Sequence, residues 1–260
     1  MNTSWDPSQY LKFGDERERP FWELVRRVPL GSPRLVVDLG CGPGTATAGL
    51  LERWPGATVV GLDNSEEMIA RASVLAVEPR LSFRLDDVSA WQPAPGEVDV
   101  LISNAALHWV PGHMDCFARW LDALSDGGVL AFQVPGNFEA PSHALLAELA
   151  ASARWRPKLA RVAELVEPHT PAEYGERLVG LSADLDVWET TYYHRLNGPD
   201  PVLEWVRGSA LRPYLDALGP KESPEFVSSY AEALRKAYPP GRGGTVTYPF
   251  RRVFVVAVRS

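Results

Sequence analysis

Residues 36–47, Val-Val-Asp-Leu-Gly-Cys-Gly-Pro-Gly-Thr-Ala-Thr, leave the chain few ways to fold. An apolar strand runs into three glycines at alternate positions, and a helical pattern begins at once. Gly40, Gly42 and Gly44 admit backbone angles and close approaches that a side chain would block. The strand carries an acid, Asp38. A second acid, Asp63, closes the next apolar run, Thr58-Val59-Val60-Gly61-Leu62. Two carboxylates near the carboxyl ends of neighbouring strands mark the rim where doubly wound α/β sheets bind ligands.

The spacing selects among nucleotide-type ligands. A dinucleotide fingerprint reads G-x-G-x-x-G and seats a pyrophosphate on a helix N-terminus. Here the run is G-x-G-x-G, and Thr45 stands where the third glycine would be. An acid just before the loop repels a pyrophosphate and suits a cationic amino acid, such as the methionine end of S-adenosylmethionine (SAM). Asp63 is suited to both ribose hydroxyls, a feature that SAM and NAD sites share. The motif therefore favours SAM; a tightly packed strand–helix turn without a ligand is the structural alternative.

Composition narrows the function further. The chain has 260 residues, a 45% hydrophobic content and a formal net charge of -7. That suffices for one large α/β domain. It lacks the basic balance a broad nucleic-acid surface needs. No apolar run approaches the roughly 20 residues that span a bilayer. The two cysteines, Cys41 and Cys116, and the five histidines show no metal-ligand spacing, so no metal is expected. The polar N-terminus shows no signal peptide, and the expectation is a reduced, cytoplasmic protein that binds neither nucleic acid nor membrane.

Strands and helices alternate through the first half. Strands are expected over 34–39, 58–62, 81–85, 98–103 and 129–134, and helices over 45–54, 66–73 and 117–124. That alternation implies a parallel sheet with helices on both faces. The second half reads differently. Helical periodicity spans 142–154 and 171–180, and β-formers fill 185–196 and 248–259. Residues 199–240 read as two or three helices broken by Pro213, Pro220 and Pro224, an insertion before the last strand. The expectation is a single domain over 1–260, with residues 1–30 as an N-terminal lid segment and 199–240 as a helical cap.

Laid out this way, the chain resembles the class I SAM-dependent methyltransferases, and within them the trans-aconitate 2-methyltransferase family. The resemblance runs over nearly the full length. It includes Trp5–Phe13 with Glu16–Pro20, Val37–Gly44, Arg53–Pro55, Gly61–Ser65, Ser103–Val110, Thr190–His194, Trp205–Pro213 and Pro249–Phe254. The opening and Trp205–Pro213 segments are the specific ones, because the glycine motif is shared by the whole superfamily. Two departures lie beside the active-site loop: His108 where the family has glutamine, and Gly112 where it has an acid.

The resemblance implies a Rossmann-like, seven-stranded, mostly parallel sheet with its last strand antiparallel. It implies that Asp38 and the Gly40, Cys41, Gly42 and Gly44 backbone hold the methionine end of SAM. Asp63 with Asn64 would hold the ribose, Asp87 and Val88 the adenine, and Asn104 and Ala105 the sulfonium side. For Asp87 the alternative is a turn cap.

An anionic substrate calls for arginine forks and aromatic walls. Tyr10, Arg17, Trp22, His108, Trp109, Trp205 and Arg212 are the candidates, and His113 is a further donor on the same loop as His108. No side chain is assigned as a general base; Asn104, Trp109 and His108 would position the reactants. The reaction so implied is O-methylation of a small polycarboxylic acid, trans-aconitate first, to a monomethyl ester. The alternatives are another acid, such as an acyl-carrier-linked malonyl group, or a methyltransferase fold that binds without turnover.

Overall fold

The computed structural model describes residues 14–162 and 169–260, with side chains from residue 18 onward. The element order is α1 (Gly14–Arg27), β1 (Leu35–Leu39), α2 (Thr45–Arg53), β2 (Thr58–Asp63), α3 (Glu66–Ala72), β3 (Leu81–Leu85), β4 (Val98–Asn104), α4 (Phe117–Ala123) and β5 (Leu124–Pro135). Then come α5 (Pro141–Ala151), α6 (Arg156–Leu159), α7 (Pro171–Leu178), β6 (Asp184–Leu196), α8 (Pro201–Arg207), α9 (Arg212–Ala237) and β7 (Val246–Val258).

The strands form one seven-stranded sheet in the order β3-β2-β1-β4-β5-β7-β6. The pairs β2–β3, β1–β2, β1–β4 and β4–β5 are parallel, and β5–β7 is antiparallel. The order reverses direction between β1 and β4. Such a switch point opens a crevice at the carboxyl ends of the strands. Register brings Asp38 opposite Gly61 on one side and Ile102 on the other, so the ends of β1, β2 and β4 lie side by side.

Strand β5 starts earlier than its apolar run suggested. Val98 pairs with Leu124 and Val100 with Val129, so the ladder shifts register there and residues 125–128 bulge out. Gly127 takes φ 72° within that bulge, a backbone state glycine enters without penalty.

The prolines of 199–240 break less than expected. Only Gly219, at φ 69°, leaves helical geometry inside α9. Pro213 stands in the first turn, where its missing N–H has no intrahelical partner to lose. Pro220 follows the Gly219 kink and so opens the second helical segment.

The chain divides into two compact units. The first holds Glu18–Pro135, Glu167–Thr190 and Arg252–Ser260; the second draws on Gly136–Val166 and Thr191–Arg251. Each has its own core. In the first, Leu39, Leu101, Phe117, Trp120, Phe132, Tyr174 and Val255 belong to one buried cluster. In the second, Trp155, Trp205, Phe226, Tyr230, Tyr248 and Phe250 belong to another. The expected 199–240 cap falls within the second unit, and most of the expected 1–30 lid lies outside the described residues or in α1. Among the described residues, no helix is long and apolar enough to cross a membrane, and no group of His, Cys, Asp and Glu could hold a metal ion.

Candidate active site

The glycine turn is built by close approach. At Gly40 the backbone has φ 77°, and a Cβ there would come within 2.3 Å of the Ala106 Cβ. The loop after β4 therefore lies directly against the turn after β1. Gly44 has φ 81°, and a Cβ would meet Ala72 and Phe83 at 2.8 Å. By contrast, a Cβ on Gly42 would find nothing within 4 Å. The turn is closed on its packed side and open at Gly42.

The amides of the turn are already used. Gly40 N and Cys41 N both donate to Leu62 O, at 2.8 and 2.9 Å, and Gly44 N donates to Cys41 O at 3.2 Å. Gly42 N donates to the Asp63 carboxylate at 2.9 Å. The amides of Gly40, Cys41, Gly42 and Gly44 are therefore engaged within the protein, and the turn offers its acids to a ligand.

The acids behave differently. Asp38 is buried, and one oxygen accepts the Thr47 hydroxyl at 2.6 Å. Its other oxygen is buried with no hydrogen-bond partner among the described residues. Burial pushes the Asp38 carboxyl up to about 7; the Thr47 hydroxyl opposes the rise, and the Asp63 charge adds to it. Asp63 also accepts the Ser65 amide at 2.9 Å. Burial raises the Asp63 carboxyl too, against the pull of the Ser65, Gly42 and Asn64 amides. A buried carboxylate without a counter-charge is costly. An acid-lined turn with spent amides suits a cationic ligand, as the ammonium and sulfonium of SAM require, and does not suit a pyrophosphate.

The rest of the rim follows the strand ends. Asp86 N donates to Asp63 O at 3.0 Å, tying β3's exit to β2. Asp87 is exposed, and one of its oxygens accepts the Ser89 amide and hydroxyl at 2.8 and 2.7 Å. It therefore does cap a turn, with its second oxygen left over. Val88 is buried and Asn64 is exposed. Asn104 ends β4, half-buried, and Ala105 follows at φ 54° with its amide on Gln133 O at 2.9 Å. The Cys41 thiol is buried and pushed up, chiefly by burial and then by the two acids.

The substrate candidates are more scattered. His108 is buried on a 3-10 turn, its ring 4.9 Å from that of Trp109, which is half-buried. His113 corrects the sequence reading. It is fully buried, with Nδ1 3.1 Å from Val110 O and Nε2 2.9 Å from the Tyr174 hydroxyl. Both ring nitrogens are engaged, so it does not serve as a substrate donor. Trp22 packs on α2, where a Cβ on Gly49 would come within 2.7 Å of its ring. Trp205 is buried in the second core, stacked on His194 at 4.4 Å. Arg212 pairs with Asp216 one turn on at 3.2 Å. Tyr10 and the Arg17 side chain lie outside the described residues.

The sequence reading passed over Thr47, Gln133 and Arg252. Gln133 interrupts the apolar run of β5 and Arg252 that of β7, and both are buried. A lone polar residue in a core strand is a signal for Gln133; Arg252 follows Arg251 and carries no such mark.

The fold and this acid-lined glycine turn define a class I SAM-dependent methyltransferase. The methyltransferase-domain family model matches residues 36–128. A trans-aconitate 2-methyltransferase of Streptomyces avermitilis is 53% identical, with 98% of this chain and 96% of that protein covered. One of Rhodococcus jostii is 47% identical, over 97% and 98%. The solved geranyl diphosphate C-methyltransferase from Streptomyces coelicolor shares the fold at a TM-score of 0.56 and 15% identity, covering 97% of this chain and 82% of that one. The chain belongs to the trans-aconitate 2-methyltransferase family.

Proposed function

We propose that this protein transfers the methyl group of SAM to a carboxylate of trans-aconitate, forming the monomethyl ester. The reading rests above all on the 53% identity to a trans-aconitate 2-methyltransferase over 98% of the chain. The acid-lined turn supports it independently, because it selects a cationic donor. The bound donor supplies an electrophilic methyl carbon on a positively charged sulfur.

The chain's own groups then have defined tasks. Asp38 and Asp63 oppose the positive charge and orient the donor, along with Asn64, Asp87 and Val88 at the rim. Asn104 and Ala105 face the side where the acid enters. A carboxylate, with a reference pKa of about 4, is already ionised near neutrality. Its oxygen bonds to the methyl carbon as the carbon–sulfur bond breaks and the electron pair returns to sulfur. No proton moves, so no base is needed, consistent with His113 being tied to Val110 and Tyr174. The protein's contribution is alignment and a dry, charge-matched site. Arg17 and Arg212 are proposed as substrate forks on the sequence reading alone.

The test is incubation with SAM and a panel of organic acids, with mass detection of methyl esters. Trans-aconitate monomethyl ester should dominate. Esterification of other acids in its place would overturn the substrate assignment, and no turnover of any acid would overturn the reaction.

A further inference from the structure

We infer that Arg252 and Gln133 are positioning residues that fix which end of the Asn104 amide faces the substrate. The inference deepens the proposed carboxylate methylation and rests on it. The three residues form a line across three adjacent strands. Arg252 Nη1 on β7 donates to Gln133 Oε1 on β5 at 3.2 Å. Gln133 Nε2 in turn donates to Asn104 Oδ1 at the end of β4. Gln133 is completely buried and Arg252 is 5% exposed, so the line runs through the core to the half-buried Asn104 at the rim.

The polarity of this line is dictated by its inner end. A side-chain amide has an oxygen and a nitrogen of nearly the same shape, and its neighbours decide which way it points. A guanidinium has only donors. Arg252 therefore takes the Gln133 oxygen and turns the Gln133 NH2 toward Asn104. That NH2 can only donate, so it takes the Asn104 oxygen. The Asn104 NH2 is left pointing elsewhere, and no partner among the described residues claims it. Asn104 is thus presented as a donor at the strand-end crevice beside the glycine turn. Ala105 N on Gln133 O pins the next residue from the same position on β5.

A donor there suits a carboxylate oxygen; an exposed amide oxygen would repel one. Arg252 thus acts on the substrate at two removes, through hydrogen bonds whose direction cannot reverse while its charge stays in place. Burying a guanidinium costs free energy, and this role gives β7 a reason to carry one.

Three variants test it. Gln133→Glu keeps the Arg252 partner but offers Asn104 only oxygen, so the Asn104 amide must turn over. Asn104→Asp removes the donor at a half-exposed position where the fold is not at stake. Arg252→Lys keeps a donor-only cation. We expect the first two to raise KM for trans-aconitate at least thirtyfold, with kcat at saturation and the S-adenosylhomocysteine Kd within about threefold of the parent. Arg252→Lys should stay within about fivefold in KM.

An unchanged KM in Asn104→Asp would overturn the inference, whether or not Gln133→Glu folds. So would S-adenosylhomocysteine affinity falling in step with substrate affinity, which marks general damage to the site. Side-chain amide NMR reads the line without any substrate. The Gln133 NH2 protons should be protected from solvent exchange and those of Asn104 should exchange freely; the opposite pattern contradicts the assigned polarity. If the parent esterifies no acid while this pattern holds, the proposed function fails and the internal line stands.

Discussion

The amino and carboxyl edges of the parallel strands each hold a carboxylate, on the neighbouring strands β4 and β1, and the two are treated in opposite ways. At the amino end of β4, Asp99 is 5% exposed and saturated. It accepts the Arg34 amide at 2.6 Å, the Arg34 guanidinium at 2.9 and 3.2 Å, the Leu35 amide at 3.2 Å and the Ser125 hydroxyl at 2.7 Å. Burial works to raise its pKa, but these donors outweigh it and hold the carboxyl well below its ordinary range. At the carboxyl end of β1, Asp38 has one donor, one orphan oxygen and a carboxyl raised to about 7. Saturation fixes a strand; an unmet acid keeps a position for a ligand. The same residue type serves stability at one edge and, on the proposed function, recognition at the other.

That contrast is broken most strongly at the saturated edge. Asp99→Ala strips the acceptor from the Arg34 and Leu35 amides and the Ser125 hydroxyl and should cost about 3 kcal/mol of stability, the upper end for leaving buried donors unsatisfied. Urea unfolding would measure it, and S-adenosylhomocysteine affinity of the folded fraction should not change. The Asp99 contribution is present above the unfolded carboxylate pKa and disappears on acidification. Asp38 has the opposite sign. Its raised pKa means the folded state holds an extra proton between about pH 4 and 7, so its cost to the free protein grows as pH rises through that window.

At the ligand edge the losses should appear in binding. Asp63→Ala should weaken SAM by about 1.5–3 kcal/mol, the range for hydrogen bonds to a charged group. Calorimetry checks this, and unchanged affinity in a folded variant would remove Asp63 from the site. Gly40→Ala introduces a positive-φ side chain, costing about 1–2 kcal/mol in backbone strain, and drives a Cβ into Ala106. It should lower the melting temperature and weaken SAM together. The smallest effect belongs to chemistry: His113→Asn should change the single-turnover methyl-transfer rate by less than about threefold, because no base is required. A thousandfold slowing at saturating substrate would show that one is.

The ligand edge was readable because it is local. Strand, glycines, acid and helix follow one another within 36–47, and parallel alternation places Asp63 beside Asp38 without any knowledge of packing. What escaped depends on distant partners. His113 looked like a loop donor until Tyr174, 61 residues on, took its Nε2. Trp205 looked like a pocket wall and lies in an aromatic core with His194, Tyr248 and Phe250. The helix α1 was masked by Pro20 in its interior. Gln133 and Arg252 gain meaning only when β5 and β7 are seen side by side, which strand periodicity does not supply.

If Asp38 is an unmet acid that takes a positive group of the ligand, binding is coupled to release of its proton. Titrating S-adenosylhomocysteine into the protein at about pH 6, in two buffers of different ionisation enthalpy, reads the protons exchanged on binding. Because burial holds Asp38 at about 7 in the free protein, the ammonium of the bound ligand should ionise it. Release of close to one proton is expected, with affinity that rises from about pH 5 to 7 and loss of both effects in Asp38→Asn. Binding with no proton release, independent of pH and equally tight in Asp38→Asn, would contradict it.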